Sequence, residues 1–90
     1  MAKLQFTTVL KNKVGLHARP AAIFVRTSKK YDSKITVEKN GKVVDAKKIL
    51  GVLALGAAMN DEIIVTIDGT DAEEARNVLW ELIQNRFGED

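Results

Sequence analysis

The sequence predicts an α+β fold, one four-stranded sheet with three helices packed on a single face. Three observations carry that prediction. Apolar residues recur with period two in some stretches and with helical spacing in others, in the order β-α-β-β-α-β-α. An Asn40-Gly41 pair sits between two short β-branched runs, where both residues tolerate the positive φ of a tight hairpin. One sheet covered on one side is then the economical way to bury such a pattern.

Leu4, Phe6, Thr8 and Leu10 alternate with polar positions and predict the first strand, and Asn12 to Gly15 a loop. From Ala18 the spacing becomes helical, with Ala18, Ala21, Ala22 and Val25 on one face and Phe24 alongside, fading near Lys30–Asp32. Ile35 and Val37 open the second strand, and Val43 and Val44 belong to the third. Ala46 to Leu55 predicts a short apolar helix that Gly56 stops. Ile63, Val65 and Ile67 give the fourth strand one apolar face. Thr70-x-x-Glu73 and Asp71-x-x-Glu74 are overlapping capping boxes ahead of a last helix. Its buried stripe is expected at Ala72, Ala75, Leu79, Leu82 and Ile83, with Gly88 just past its end.

Ninety residues with 46% hydrophobic content fit one domain, residues 1–90, with no room for a second. The absence of cysteine excludes disulfides and thiolate metal sites, and a single histidine argues against a metal centre. No stretch reaches the roughly 18 apolar residues of a membrane span, and no secretory leader is evident. A cytoplasmic location is therefore expected. The net charge of +2 hides a strong asymmetry. Residues 1–48 carry twelve Lys/Arg against three carboxylates, a balance of +9; residues 49–90 carry two against nine, a balance of −7. The basic half suits an acidic partner, a phosphate, a nucleic acid or simply a solvated surface.

Gly15-Leu16-His17-Ala18-Arg19-Pro20-Ala21 is the stretch that carries chemistry. It places the histidine where a loop becomes a helix. Pro20 belongs in a first helical turn, where its missing N–H costs little. The amides of Ala18 and Arg19, unpaired in that turn, make the helix start an anion site. Those amides and the Arg19 guanidinium can offset the charge of a phosphoryl group carried on the imidazole. Phosphoryl transfer asks a protein mainly for positioning and electrostatics, so few groups suffice. A triad or acid–base enzyme finds no second histidine, no cysteine and no evident orienting carboxylate. A Gly-rich nucleotide loop is also missing, so no nucleotide or other cofactor is expected.

The motif from Gly15 to Ala21 resembles the active-site motif of HPr, the histidine-containing phosphocarrier family of the bacterial phosphotransferase system. The likeness extends through Tyr31-Asp32 to Ile35, the Asn40-Gly41-Lys42 hairpin and the Lys47 to Gly56 helix. It implies an open-faced β-sandwich whose antiparallel sheet has the order 1-4-2-3. It implies that His17 takes a phosphoryl group on Nδ1 from enzyme I, itself charged by phosphoenolpyruvate, and gives it to a IIA protein for sugar uptake. Arg19 would assist, and the amides of Ala18 and Arg19 would support the phosphoryl group. Such a protein is a stoichiometric carrier rather than an independent catalyst.

Ile49, Leu50, Val52, Leu53 and Leu55 spread around much of the second helix, which one sheet face cannot cover. The helix is either fully buried or presents an apolar docking patch. The resemblance implies the patch, with Ile49, Leu50 and Leu53 meeting enzyme I and the IIA acceptors. Ala22, Arg26 and Lys29 match contacts on the first helix. Release of one partner before the next is met favours small interfaces, so a monomer is expected. The chain departs from the family pattern at Lys48, where many members carry a serine used by a regulatory kinase. Neither Ser nor Thr occurs from Val37 to Val65. A lysine there opposes the helix dipole or provides a lasting basic contact. The departure leaves open a nitrogen-type regulatory relay without transport, and more remotely a non-phosphorylated binding module. An RNA-binding domain lacks its aromatic motif and Gly-x-x-Gly clamp, so no nucleic acid is expected as a partner.

Overall fold

The computed structural model describes residues 2–89; Met1 and Asp90 lie outside it. The elements run β1 (Ala2–Val9), α1 (Ala18–Ser28), β2 (Lys34–Lys39), β3 (Lys42–Asp45), α2 (Ile49–Ala54), β4 (Glu62–Gly69) and α3 (Ala72–Gln84), with a final 3₁₀ turn at Arg86–Gly88. The predicted order holds. All strand pairs are antiparallel in the order β1-β4-β2-β3, with Phe6 opposite Val65 and Val37 opposite Val65 on its other side.

Strand alternation decides which face the helices cover. Ile35, Val37, Ile63, Val65 and Ile67 are fully buried on one side, with Leu4 and Phe6 packed against them. Phe24 of α1, Val52 of α2 and Leu79 and Ile83 of α3 close the core from above. The other side is open, and there the Gln5 amide donates to the Thr66 hydroxyl at 3.0 Å. Asn40 and Gly41 form the β2–β3 turn with φ of 50° and 85°, the left-handed pair that the dipeptide favours.

Four local expectations are corrected. The buried face of α1 is Pro20, Ala21, Phe24, Val25 and Ser28, whereas Ala18 and Ala22 are exposed. The second helix begins at Ile49 rather than Ala46, because the Ala46 amide donates back to Ile35 O at 2.9 Å and keeps the chain tied to β2. Neither capping box closes on its own helix. The Asp71 carboxylate instead accepts the amides of Asp32 and Ser33 at 2.8 and 3.0 Å, and the Ser33 hydroxyl. Gly69 makes that crossing possible, since a Cβ there would lie 2.7 Å from Ser33 Cα. Finally, Gly88 does not lie just past the last helix: α3 ends at Gln84, and Gly88 closes a 3₁₀ turn in which Phe87 folds back at φ 56° and is only 3% exposed.

Candidate functional site

The loop from Lys11 to His17 is anchored at both ends to the segment after α2. Leu10 donates to Asp61 O at 3.0 Å and accepts from the Asn60 amide at 2.8 Å. Leu16, buried in the core, donates to Ala57 O at 2.9 Å. Gly15 holds φ 63° between them, and a Cβ there would stand 2.7 Å from Ala58 Cα. Both its conformation and its neighbours therefore demand glycine. The Asn12 amide closes the loop from inside, donating to Gly15 O at 2.9 Å.

His17 emerges from this anchored loop at the surface. It is the N-cap of α1, extended at φ −144°, and its side chain makes no capping hydrogen bond. The imidazole is thus not spent on ending its own helix. Ala18, next in the chain, holds a left-handed φ of 54°, a conformation that costs a non-glycine residue about 1–3 kcal/mol. Regular helix geometry accordingly starts at Arg19, one residue later than the spacing predicts. The amides of the first turn have no acceptor within the helix, and α1 carries no acidic residue there to occupy them.

Arg19 is exposed beside this helix start, with Nη1 3.2 Å from the Glu89 carboxylate. Glu89 reaches it because Phe87 pins the chain end against the core. Sequence reasoning missed this partner, and no local signal marks a contact spanning 70 residues.

The predicted docking residues converge. Ala22 and Arg26 of α1 and Lys29 at its C-cap line one groove of about 280 Å³ with Val25, Lys47 and Ile49. Leu50 is 79% exposed and Leu53 half-buried, whereas Val52 and Leu55 belong to the core. The helix is therefore divided between core and surface. Lys48 is exposed at its N-cap and makes no side-chain cap. Its neighbour Lys47 donates to Tyr31 O at 2.6 Å and braces α2 against the end of α1.

Asp61, also missed, ties the rear of the site together. Its carboxylate accepts the Ala58 amide at 2.8 Å and lies 3.0 Å from Lys39 Nζ. The Ala58 hydrogen bond first, and the Lys39 ammonium second, hold its pKa below the usual carboxylate range.

An open-faced sheet, a free histidine on an anion-ready helix start, and an apolar surface helix beside it define a small phosphoryl-relay domain. The sequence profile of the family described as "PTS HPr component phosphorylation site" matches residues 4–85. The phosphocarrier protein HPr of Xylella fastidiosa is 44% identical over 87 residues, covering 97% of this chain and 98% of that protein. That of Cupriavidus necator is 42% identical over 86 residues, covering 96% and 97%. Among solved structures, HPr from Thermoanaerobacter tengcongensis superposes with a TM-score of 0.94 at 46% identity, covering 97% of this chain and 98% of that one. HPr from Bacillus anthracis gives 0.89 at 39% identity, covering 93% and 100%. The chain belongs to the HPr family, and its function is that of a phosphocarrier of the phosphotransferase system, whose proteins are its partners. These relatives favour neither a relay without transport nor a non-phosphorylated binding module. No helix among the described residues is long and apolar enough to cross a membrane.

Proposed function

We propose that His17 is the phosphoryl acceptor, loaded by enzyme I and unloaded by IIA proteins of a sugar-uptake system. The observation that supports this most directly is the exposed, uncapped imidazole at the start of α1, two residues before Arg19. The lone pair of His17 Nδ1 forms the N–P bond as the donor's bond to phosphorus breaks and its electron pair returns to the donor. The amides of Ala18 and Arg19 and the Arg19 guanidinium then carry the phosphoryl oxygens. Transfer to the acceptor reverses these roles. Ala22, Arg26, Lys29, Lys48, Ile49, Leu50 and Leu53 form the face that both partners use in turn, with an apolar centre and a basic rim suited to acidic partners. Residues 1–90 act as one domain, a cytoplasmic monomer that binds one partner at a time.

Incubation with enzyme I and phosphoenolpyruvate tests the assignment. One phosphoryl group is expected, lost in mild acid as a phosphoramidate is, and absent from the His17→Ala variant. An acid-stable adduct, or full labelling of His17→Ala, would overturn it.

A further inference from the structure

Two lysines of the β2–β3 hairpin end on the carbonyls that close α2. Lys42 Nζ donates to Ala54 O at 2.7 Å, and Lys39 Nζ to Gly56 O at 2.9 Å. The last turn of α2 has no basic residue of its own, so these cations supply both the missing donors and the charge that a helix C-terminus favours. Lys39 continues to the Asp61 carboxylate, which fixes the Ala58 amide. The segment so fixed is the one that grips the histidine loop through Leu10 and Leu16. A continuous set of polar contacts therefore runs from the hairpin to the end of the docking helix and on to both anchors of His17.

We propose that Lys39, Lys42 and Asp61 form a strut that sets the docking helix and the histidine loop in one fixed relation, acting as positioning residues for phosphoryl transfer. The inference rests on the reading of His17 as the acceptor and α2 as a docking helix. None of the three needs to touch a phosphoryl group. In-line transfer between two docked proteins requires the nucleophile in register with the surface that seats the partner, and small misplacements slow such reactions strongly. A six-residue helix cannot secure that register alone, because so short a helix is marginal without outside contacts. Lys42 acts on the seat and Asp61 on the nucleophile, so their loss is felt in different kinetic parameters.

The test measures transfer from phosphorylated enzyme I, varying the carrier, with thermal melts alongside. Lys42→Met is expected to raise KM about threefold with kcat kept, the scale of one exposed cation at a helix C-terminus. Lys42→Arg should restore it. Asp61→Asn should lower kcat with KM kept. Lys34→Met removes the same charge from a strand on the open side and should change neither. The pattern should persist at about 1 M salt, where the Debye length is roughly 3 Å. If Lys34→Met matches Lys42→Met and salt abolishes both effects, the lysines only steer encounter and the strut is wrong. Variants that melt earlier but transfer normally would overturn it too. Wild-type protein unlabelled on His17 would overturn the underlying reading itself, which the kinetics of the variants alone cannot do.

Discussion

Arg19 and Glu89 lie 3.2 Å apart across 70 residues of chain, the arginine side chain 74% exposed and the glutamate side chain 33%. An ion pair so open to solvent contributes about 0–1 kcal/mol, so it does not hold the fold together. It does give the Arg19 guanidinium an anionic partner already within the chain. Glu89→Gln should leave the melting temperature within a degree or two of the parent, while phosphoryl acceptance stays level or rises. Arg19→Lys should slow transfer, since a point charge replaces a planar fork. Stopped-flow phosphoryl exchange with enzyme I reads both variants, and a marked fall in acceptance for Glu89→Gln would show that the carboxylate assists instead.

Leu50 and Leu79 separate docking from stability. Leu50→Asp alters a side chain that touches solvent, so partner transfer should weaken while the thermal midpoint barely moves. Leu79→Ala opens a cavity in the core and should cost about 2–5 kcal/mol with transfer retained while the protein stays folded. Calorimetry beside a transfer assay distinguishes the two. Unfolding by Leu50→Asp would mean that α2 is packed more deeply than its exposure indicates.

Lys48 occupies an N-cap without capping it. Lys48→Ser should stabilise the protein by up to about 1 kcal/mol, because a serine hydroxyl can accept a first-turn amide and a cation leaves the positive helix end. The parent offers a serine kinase no hydroxyl in α2, so ATP and such a kinase should add no acid-stable phosphate there. Mass spectrometry of the peptide spanning Val37 to Val65 decides the matter.

Asp71 links acid stability to the α1–β2 loop. The Ser33 hydroxyl first, and the Asp32 amide next, hold its pKa below the usual carboxylate range. A carboxyl whose pKa is depressed by folding supports the native state fully above its unfolded value of about 3.9, and that support is lost as pH falls through the folded value. The thermal midpoint should therefore hold at neutral pH and drop below about pH 4. Asp71→Asn should melt earlier at pH 7 and show a shallower acid slope. An unchanged slope would place the acid-sensitive group elsewhere, Asp61 being the next candidate because it is shifted the same way.

What the sequence reveals is what neighbouring residues decide among themselves. The Asn40-Gly41 turn, the alternation of Ile63, Val65 and Ile67, and the α3 stripe need only local geometry; the first two are found as predicted, and of the stripe Ala72, Ala75, Leu79 and Ile83 are buried while Leu82 is half-buried. The motif around His17 is legible because it joins a glycine, a histidine and a helix start within seven residues. Asp71 misleads because its spacing fits a cap while a distant loop offers it two amides and a hydroxyl. Ala46 reads as helical until the Ile35 carbonyl claims its amide. Glu89, Lys39 and Asp61 are illegible for one reason: their partners lie across the fold, and an exposed charged residue shows no periodicity to betray a long-range contact.

The chain has a single tryptophan, and its ring stands edge-on to Phe6 at 5.3 Å and 88°. Phe6 belongs to β1, one of the two edge strands of the sheet. The intrinsic fluorescence of this protein is consequently a local gauge of how firmly the border strand is seated beneath α3. A label-free emission experiment would report peeling of that strand early, and would be nearly blind to the state of His17.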